Sequence, residues 1–352
     1  MSPALPRADL DLVLSLTPGF WRRFGGSRLL ITGATGFIGN WLVQTVQRAN
    51  DVLDSRIEIV ALSRDPKRAR KTHPDVFDRT DIRLVAGDVC SFADPGGQLD
   101  LCVHAATDVA DPGRTGNALH TFDSIVAGTR QVLDVAQSHG VSRFLLTSSG
   151  AVYGPQPPDL VLVEESYSGA PDPTQINAAY GNGKRAAEWL TSAYAAQGRT
   201  RGFEATIARI FALLGPGMPL DGTFAAGNFV RDVLAGTPIV IRGDGRPVRS
   251  YLYMADLCVW LLRLLESGES GQAYNVGSEQ PISVRDLAEQ VLLAVGSPLA
   301  IEIRTPSDDA SLPPRYVPDT RKARQSLELR EVTPLSLALQ KTLHWTRSAI
   351  KP

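Results

Sequence analysis

The stretch Leu29-Leu30-Ile31-Thr32-Gly33-Ala34-Thr35-Gly36-Phe37-Ile38-Gly39 constrains the fold of this chain more than any other. An apolar run stops at a glycine, and an amphipathic pattern then begins in which Phe37, Ile38, Trp41, Leu42 and Val46 recur at helical spacing. This reads as strand, tight turn and helix, with the helix N-terminus pointing back at the turn, where unpaired N–H groups make an anion site. Each glycine has its own task. Gly33 lets the strand turn sharply, Gly36 lets backbone N–H groups approach a diphosphate, and Gly39 lets the helix lie close to the sheet. The spacing is G-x-x-G-x-x-G rather than G-x-G-x-x-G. Three glycines alone are weak evidence; between a first strand and a first helix they are specific.

The rhythm that follows is an alternation of strands and helices. Strands are expected at 29–32, 57–62, 82–86, 99–103, 143–147 and 204–210, and helices at 37–49, just after Pro66, at 119–139 and at 178–196. Such alternation implies an α/β fold with a doubly wound parallel sheet and helices on both faces. Residues 1–27 form an arm in which Leu10, Val13 and Leu14 suggest a short helix that Pro18-Gly19 breaks. Phe20, Trp21 and Phe24 offer it apolar anchors on the main domain. After Gly215-Pro216-Gly217, glycine and proline become frequent. Short strands at 239–241 and 250–253 alternate with helices at 255–266 and 283–294. Residues 216–352 are therefore expected to be mainly a smaller C-terminal α/β substrate domain, with the chain free to cross back. A ligand belongs at the carboxyl ends of the parallel strands, between the two parts.

A chain of 352 residues with 43% apolar content can bury a large core. Its formal net charge of −1 leaves no electrostatic footprint for nucleic acid or an acidic membrane, so a small molecule is the expected partner. Cys90, Cys102 and Cys258 are odd in number, widely spaced and set in apolar stretches, which suits buried reduced thiols and not disulfides or a metal site. Asp9 and Asp11 stand where a signal peptide needs an apolar core, and no apolar run approaches a membrane span, so a cytoplasmic location is expected.

Two further segments carry chemistry. Thr147-Ser148-Ser149-Gly150-Ala151-Val152-Tyr153-Gly154 is rich in hydroxyls directly after an apolar strand. In Tyr180-Gly181-Asn182-Gly183-Lys184, the phenol and the amine are four residues apart at a helix start and share one face. An ammonium near a phenol favours the phenolate, which lowers its pKa and makes it a usable general base. A serine hydroxyl beside that phenol binds the same substrate oxygen. His104, alone at a strand end, reads as structural, and Glu164 and Glu165 read as loop carboxylates.

From about Arg28 to Ala323 the sequence resembles the extended short-chain dehydrogenase/reductases, the group of nucleotide-sugar epimerases and dehydratases. The resemblance rests on Thr32 to Gly39, Gly87-Asp88-Val89, His104-Ala105-Ala106, Ser149 ahead of Val152-Tyr153-Gly154, and Tyr180 with Lys184. Farther on it rests on Arg209 with Gly215-Pro216, Arg249-Ser250-Tyr251, Asp256, Tyr274 to Gly277, and Asp319 to Ala323.

The resemblance implies a Rossmann-type NAD(P)-binding domain over 28–215. The loop Gly33, Thr35, Gly36, Phe37, Ile38 and Gly39 would hold the dinucleotide diphosphate, Asp88 with Val89 the adenine, and Lys184 the nicotinamide ribose. Ala105 and Ala106 would border the cofactor. Tyr180 would be the acid/base and Ser149 its partner at the substrate oxygen. Asn228, Arg249 and Arg315 match positions that grip the diphosphate and nucleotide of a sugar nucleotide, for which arginine is chemically suited. The second strand ends Val60-Ala61-Leu62-Ser63-Arg64. Where an NAD site places a carboxylate, Ser63 and Arg64 can receive a 2′-phosphate, so NADP is the expected cofactor with NAD as the alternative; Asp65 lies two residues beyond Ser63.

The departures are also informative. Ile125 and Ala212 stand where many members have asparagine. In members that eliminate water across C5 and C6, an Asp-Glu pair directly follows the residue matching Ser149, and the decarboxylases keep the Glu; here the positions hold Gly150 and Ala151. Reversible hydride transfer at C4 needs only Ser149, Tyr180, Lys184 and the nicotinamide, so C4 epimerisation is expected. An NADPH-dependent 4-ketoreductase, a dehydratase and a catalytically idle NADP-binding regulator are the alternatives, and the intact Ser149, Tyr180 and Lys184 argue against the last. The family commonly forms a four-helix dimer interface. Val126, Val132, Leu133, Val135 and Ala136 give the helix at 119–139 apolar surface for a homodimer together with the helix at 178–196.

Overall fold

The computed structural model describes residues 4–107, 118–222, 224–306 and 312–350. An arm of two helices, α1 (Arg7–Leu16) and α2 (Pro18–Phe24), leads into β1 (Arg28–Thr32) and α3 (Phe37–Leu53). The alternation continues through β2 (Glu58–Ser63), α4 (Pro66–Thr72), α5 (Pro74–Phe77), β3 (Ile82–Asp88), β4 (Ser91–Phe92), β5 (Leu101–His104), α6 (Ala118–Ser138), β6 (Arg143–Ser149), α7 (Ala179–Gly198) and β7 (Glu204–Ile210). Shorter elements follow: β8 (Leu213–Leu214), α8 (Ala225–Leu234), β9 (Ile239–Ile241), β10 (Val248–Arg249), β11 (Leu252–Tyr253), α9 (Met254–Ser267), β12 (Ala273–Val276), β13 (Ile282–Ser283), α10 (Val284–Val295), β14 (Ile301–Ile303), β15 (Arg315–Tyr316), α11 (Arg321–Leu327) and α12 (Leu335–Ile350).

The central sheet has the order β12-β7-β6-β5-β1-β2-β3-β4. All neighbours are parallel except the short edge strand β4, which runs antiparallel to β3. Leu29 and Ile31 face one core layer with Leu10, Val13, Trp41, Val46 and Leu261, whereas Leu30, Val60, Leu62, Phe144 and Leu146 face another with Val132, Leu133, Ala187 and Leu190. This two-residue alternation between two buried faces is why the strands read as continuous apolar runs. Each such buried side chain stabilises the fold by roughly 1.5–3 kcal/mol. The order in which strands are laid down reverses between β1 and β5, which opens the crevice at the strand ends.

The expected doubly wound sheet is present, and its differences from expectation are local. Strand β6 runs on to Ser149, so both serines lie on the strand. Pro18 starts α2 as its first helical residue, a position where its missing N–H costs nothing. Cys102 and Cys258 are buried, but Cys90 is exposed because it follows the last residue of β3 and lies outside the core. The chain crosses back after residue 216: α9 joins the core layer of β1 and α3, and β12 extends the central sheet beside β7. The arm also belongs to that layer. Asp9 is fully buried, accepts from the Tyr253 hydroxyl at 2.7 Å and pairs with Lys341 of α12.

Candidate active site

At the end of β1, Gly33 takes φ +69°, and a Cβ there would lie 2.7 Å from the Ala106 nitrogen. A Cβ on Gly39 would lie 2.1 Å from the Gly33 carbonyl oxygen, so a side chain at Gly39 would drive α3 off the turn, and one at Gly33 would push away the Ala105–Ala106 segment after β5. Gly36 is the N-cap of α3 and offers no side-chain cap. The Gly36 N–H closes the turn on Gly33 O at 2.9 Å, while the first-turn N–H groups of α3 from Phe37 and Ile38 remain available to an anion, and Thr35 and Gly36 are exposed. Ala105 and Ala106 wall the loop, their N–H groups donating to Thr32 O (3.2 Å) and Thr32 Oγ1 (3.1 Å). A backbone cradle with no bulk in it fits a dinucleotide diphosphate.

Along the same strand ends, Ser63 closes β2 and Asp88 closes β3. Asp65 is committed elsewhere: its Oδ1 accepts from Arg68 N at 2.9 Å and caps α4. Arg64 is exposed beside Ser63. Asp88 Oδ1 accepts from Cys90 N at 3.0 Å, and Val89 packs where Gly128 of α6 has no Cβ.

Helix α7 brings Tyr180 and Lys184 to the end of β6. Lys184 is 3% exposed, and its Nζ donates to Thr107 Oγ1 at 2.6 Å and to Thr147 O at 2.7 Å. Burial pushes the amine down to about 8, with the Glu188 carboxylate opposing. Ser149 is the polar side chain beside the Tyr180 hydroxyl, and its Oγ accepts from Ala151 N at 3.1 Å. The expected lowering of the phenol's pKa is not what the geometry produces. Burial raises it, the Ser149 hydroxyl beside it only partly offsets that, and two of the ammonium's hydrogens go to Thr107 and Thr147 with Nζ 5.9 Å from the phenol ring centroid.

Sequence reasoning missed Tyr316. Its hydroxyl lies 3.5 Å from Ser149 Oγ, and its ring stacks on Phe211 at 4.5 Å between centroids. A Cβ on Gly150 would fall 2.6 Å from Phe211 Cζ and 2.7 Å from the Tyr316 hydroxyl. Burial raises the Tyr316 pKa, which keeps it a neutral phenol. Only the pairing of two-residue strands brings it here, and such strands leave no periodic signal. In that pairing Arg249 is registered beside Tyr316, and its guanidinium lies 5.8 Å from the ring centroid. Arg315, one residue earlier, alternates to the other face and points its Nε at Val161 O, at 3.4 Å. Asn228 on α8 donates to Gly222 O at 3.0 Å. The structure thus brings Arg249, which also donates to Val248 O at 2.9 Å, to the Ser149 end of the crevice, while Arg315 is turned to Val161 and Asn228 to Gly222.

His104 sits between Thr32 Oγ1 (2.7 Å) and Thr129 Oγ1 (3.1 Å), and burial, then the Lys184 charge, push it down to about 3. A neutral histidine fixed by two threonines is structural. Glu164 is exposed, whereas Glu165 Oε1 accepts from Asn275 N at 2.7 Å and its carboxyl is pushed up by burial. Among the described residues no cluster of His, Cys, Asp or Glu is built to hold a metal ion, and no helix is long and apolar enough to cross a membrane.

The NAD dependent epimerase/dehydratase family matches this chain over residues 29–277. The chain is 30% identical over 324 residues to UDP-glucuronic acid decarboxylase 1 of Xenopus tropicalis, covering 92% of this chain and 73% of that one. With UDP-glucuronic acid decarboxylase 6 of Arabidopsis thaliana it shares 31% identity over 320 residues, covering 88% and 87%. The dTDP-glucose 4,6-dehydratase DesIV from Streptomyces venezuelae, solved with NAD and TYD bound, is similar in structure with a TM-score of 0.76 and 26% identity, covering 91% of this chain and 97% of that one.

Proposed function

Because this chain belongs to the NAD-dependent epimerase/dehydratase family, whose members here are enzymes that modify nucleotide sugars, we propose that it epimerises a nucleoside-diphosphate sugar at C4 through a transient 4-keto sugar. The observation that carries this reading is the packing at Gly150. Ser149, Tyr180 and Lys184 stand together, but the next two positions, Gly150 and Ala151, carry no proton, and the space a side chain at 150 would need is filled by Phe211 and Tyr316. Hydride transfer at C4 remains available, whereas elimination or decarboxylation lacks its usual second acid or base.

A bound nicotinamide supplies the acceptor and donor of the C4 hydride. The loop Gly33 to Gly39 holds its diphosphate, Asp88 and Val89 the adenine, Ala105 and Ala106 one wall, and Lys184 the ribose. Tyr180 takes the C4 hydroxyl proton and later returns it, while Ser149 hydrogen-bonds the same oxygen and keeps it aligned. Burial holds the free phenol neutral, so the positive charge of Lys184 has to favour the phenolate as the proton leaves. Arg249 pairs with the sugar nucleotide's diphosphate, and Arg315 and Asn228 act at its periphery. We assign NADP rather than NAD because Ser63 and Arg64 stand at the end of β2 while Asp65 is used as the α4 cap. Val132, Leu133 and Ala136, expected on a dimer surface, are instead buried in the monomer core with Val126 and Val135 packed against it, because they face the sheet; the exposed Leu119 and Phe122 of α6 and Trp189 of α7 are what give a second copy an apolar surface, which supports a homodimer readable by light scattering at micromolar concentration.

The two relatives named above favour a second reading, oxidation at C4 followed by loss of carbon dioxide from a UDP-hexuronic acid. One experiment separates the readings: UDP-, GDP-, CDP- and dTDP-sugars, including UDP-glucuronic acid, in deuterated water, with products identified by mass and NMR. A C4 epimer with no carbon-bound deuterium is the expected result. Release of carbon dioxide, or loss of water with deuterium at C5 or C6, would overturn the proposal.

A further inference from the structure

Three consecutive residues at the end of β6 have three different tasks. The Thr147 carbonyl accepts from Lys184 Nζ at 2.7 Å, the Ser148 hydroxyl donates to Glu188 Oε1 at 2.6 Å, and the Ser149 hydroxyl stands at the substrate end. Lys184 and Glu188 are one helical turn apart, so they lie on one face of α7, and each grips a successive residue of the same strand.

Glu188 also reaches the neighbouring strand. Ser148 and Arg209 are register partners on β6 and β7. The Arg209 Nε donates to both Glu188 oxygens at 3.1 Å, and its second terminal nitrogen donates to Oε2 at 2.8 Å. The remaining nitrogen donates to the Tyr153 hydroxyl (2.8 Å) and Glu165 O (3.2 Å), and Tyr153 in turn donates to Asn275 Oδ1 on β12 at 2.8 Å. The two charged side chains are 17% and 10% exposed. Burying such a pair costs about as much as its attraction returns, so its use is geometric: it fixes α7 against three strands at once.

We propose that Glu188 is a positioning residue that holds α7 at the end of β6 so that Ser149, Tyr180 and Lys184 converge on one substrate oxygen; this rests on the hydride-transfer reading above. Without the Glu188 grip α7 keeps Lys184 on Thr147 O and Arg185 on Val152 O and Gly169 O, all near its start, and rolling about those contacts carries Tyr180 along the strand end relative to Ser149. A displacement of about 1 Å in a reacting group is enough to cost on the order of a hundredfold in rate. Glu188 has a second effect through charge. Lys184 is faced by Tyr180 and Glu188 from its own helix, by the neutral His104 from β5, and by Arg209 of β7 only across Glu188, so this carboxylate is what favours the ammonium against burial.

Two variants test the proposal on whichever sugar nucleotide of the panel the wild type turns over. Ser148→Ala deletes one grip and leaves the ion pair whole. Its kcat should fall roughly tenfold, as expected for a lost hydrogen bond to a charged group, with KM and NADP+ affinity within about twofold. Glu188→Gln keeps the shape and removes the charge. It should lower kcat about a hundredfold and move the alkaline limb of the rate profile to lower pH, and Glu188→Asp should restore the limb. A Ser148→Ala enzyme with wild-type kcat overturns the proposal, and does so even where Glu188→Gln fails to fold. A folded Glu188→Gln enzyme with an unmoved alkaline limb overturns the charge effect. Tyr180→Phe is the control for the underlying reading: if it stays active, both ideas fall, whereas an inactive Tyr180→Phe beside wild-type Ser148→Ala sinks only this one.

Discussion

The nucleotide-facing half and the substrate-facing half of this protein are held together by different means. On one side of the crevice, Gly33, Ser63, Asp88, Ala105 and Ser149 each end, or directly follow, a parallel strand of the central sheet, buried on both faces in every case but β3 near the edge. Their positions are set by a sheet whose core surrounds them. On the other side, Arg249 and Tyr316 stand on strands of two residues, and the contact between Tyr316 and Ser149 spans 167 positions of chain. The proposed chemistry thus sits on the rigid sheet, while the groups proposed to meet the substrate sit on short elements that can vary without disturbing the sheet.

That contrast is sharpest for Tyr180. Tyr180→Phe removes only the oxygen that moves the proton, so kcat should fall by about a hundred- to ten-thousand-fold while NADP+ still quenches protein fluorescence with wild-type affinity. Activity within a few-fold of wild type would mean that the sheet half does not carry the acid/base. In the substrate half, Arg249→Ala should raise KM for the sugar nucleotide by roughly ten- to a hundredfold with kcat little changed, and Arg315→Ala by no more than about threefold. Equal effects would show that the Arg249–Tyr316 register does not decide which arginine meets the ligand.

The same division explains what the sequence disclosed. The glycine loop, the apolar strands and the pair Tyr180 and Lys184 are local patterns, legible because strand, turn and helix periods are set by neighbouring residues. Tyr316 and the clearance at Gly150 were not legible, because both depend on β15 pairing with β10 and on Phe211 closing the gap. The direction of the Tyr180 shift was misjudged for a related reason. Spacing reveals that an ammonium is near a phenol, but not that Thr107 and Thr147 O take its hydrogens or that desolvation outweighs the charge.

Lys184 links the site to solution pH. In the proposed mechanism its ammonium is needed for turnover, and burial brings it down to about 8, so kcat should fall about tenfold per pH unit above that value. Stability has the opposite sign. The folded pKa lies below the ordinary 10.5, so between about 8 and 10.5 the unfolded chain binds more protons than the native one, and native stability rises with pH; below about 8 the penalty is constant. Urea titrations at pH 7, 8 and 9.5 on the wild type and Lys184→Met should show that rise only in the wild type. Closer to the cofactor, Arg64→Ala should weaken NADP+ about tenfold and leave NAD+ unchanged, the difference of one arginine–phosphate contact. Equal loss for both cofactors would remove the 2′-phosphate from its role.

The smallest effect concerns which half the N-terminal arm serves. Asp9 is fully buried and is held by Tyr253 of β11 and Lys341 of α12, while its helix packs with α3 and α9. The arm therefore bridges the outer layer beside α3 and α9 and the C-terminal helix, and among the described residues its hydrogen bonds reach none of Ser149, Tyr180 and Lys184. Asp9→Asn keeps an oxygen for Tyr253 but loses the charge paired with Lys341. The Lys341 side chain is 30% exposed and can turn to water, so the loss should be near about 1 kcal/mol, less than for a fully buried pair. Thermal unfolding should shift down by roughly 2–4 °C, with kcat and KM within about twofold of wild type. A variant that keeps its melting temperature but loses kcat would contradict this division, because it would make the arm part of the machinery that sets the site.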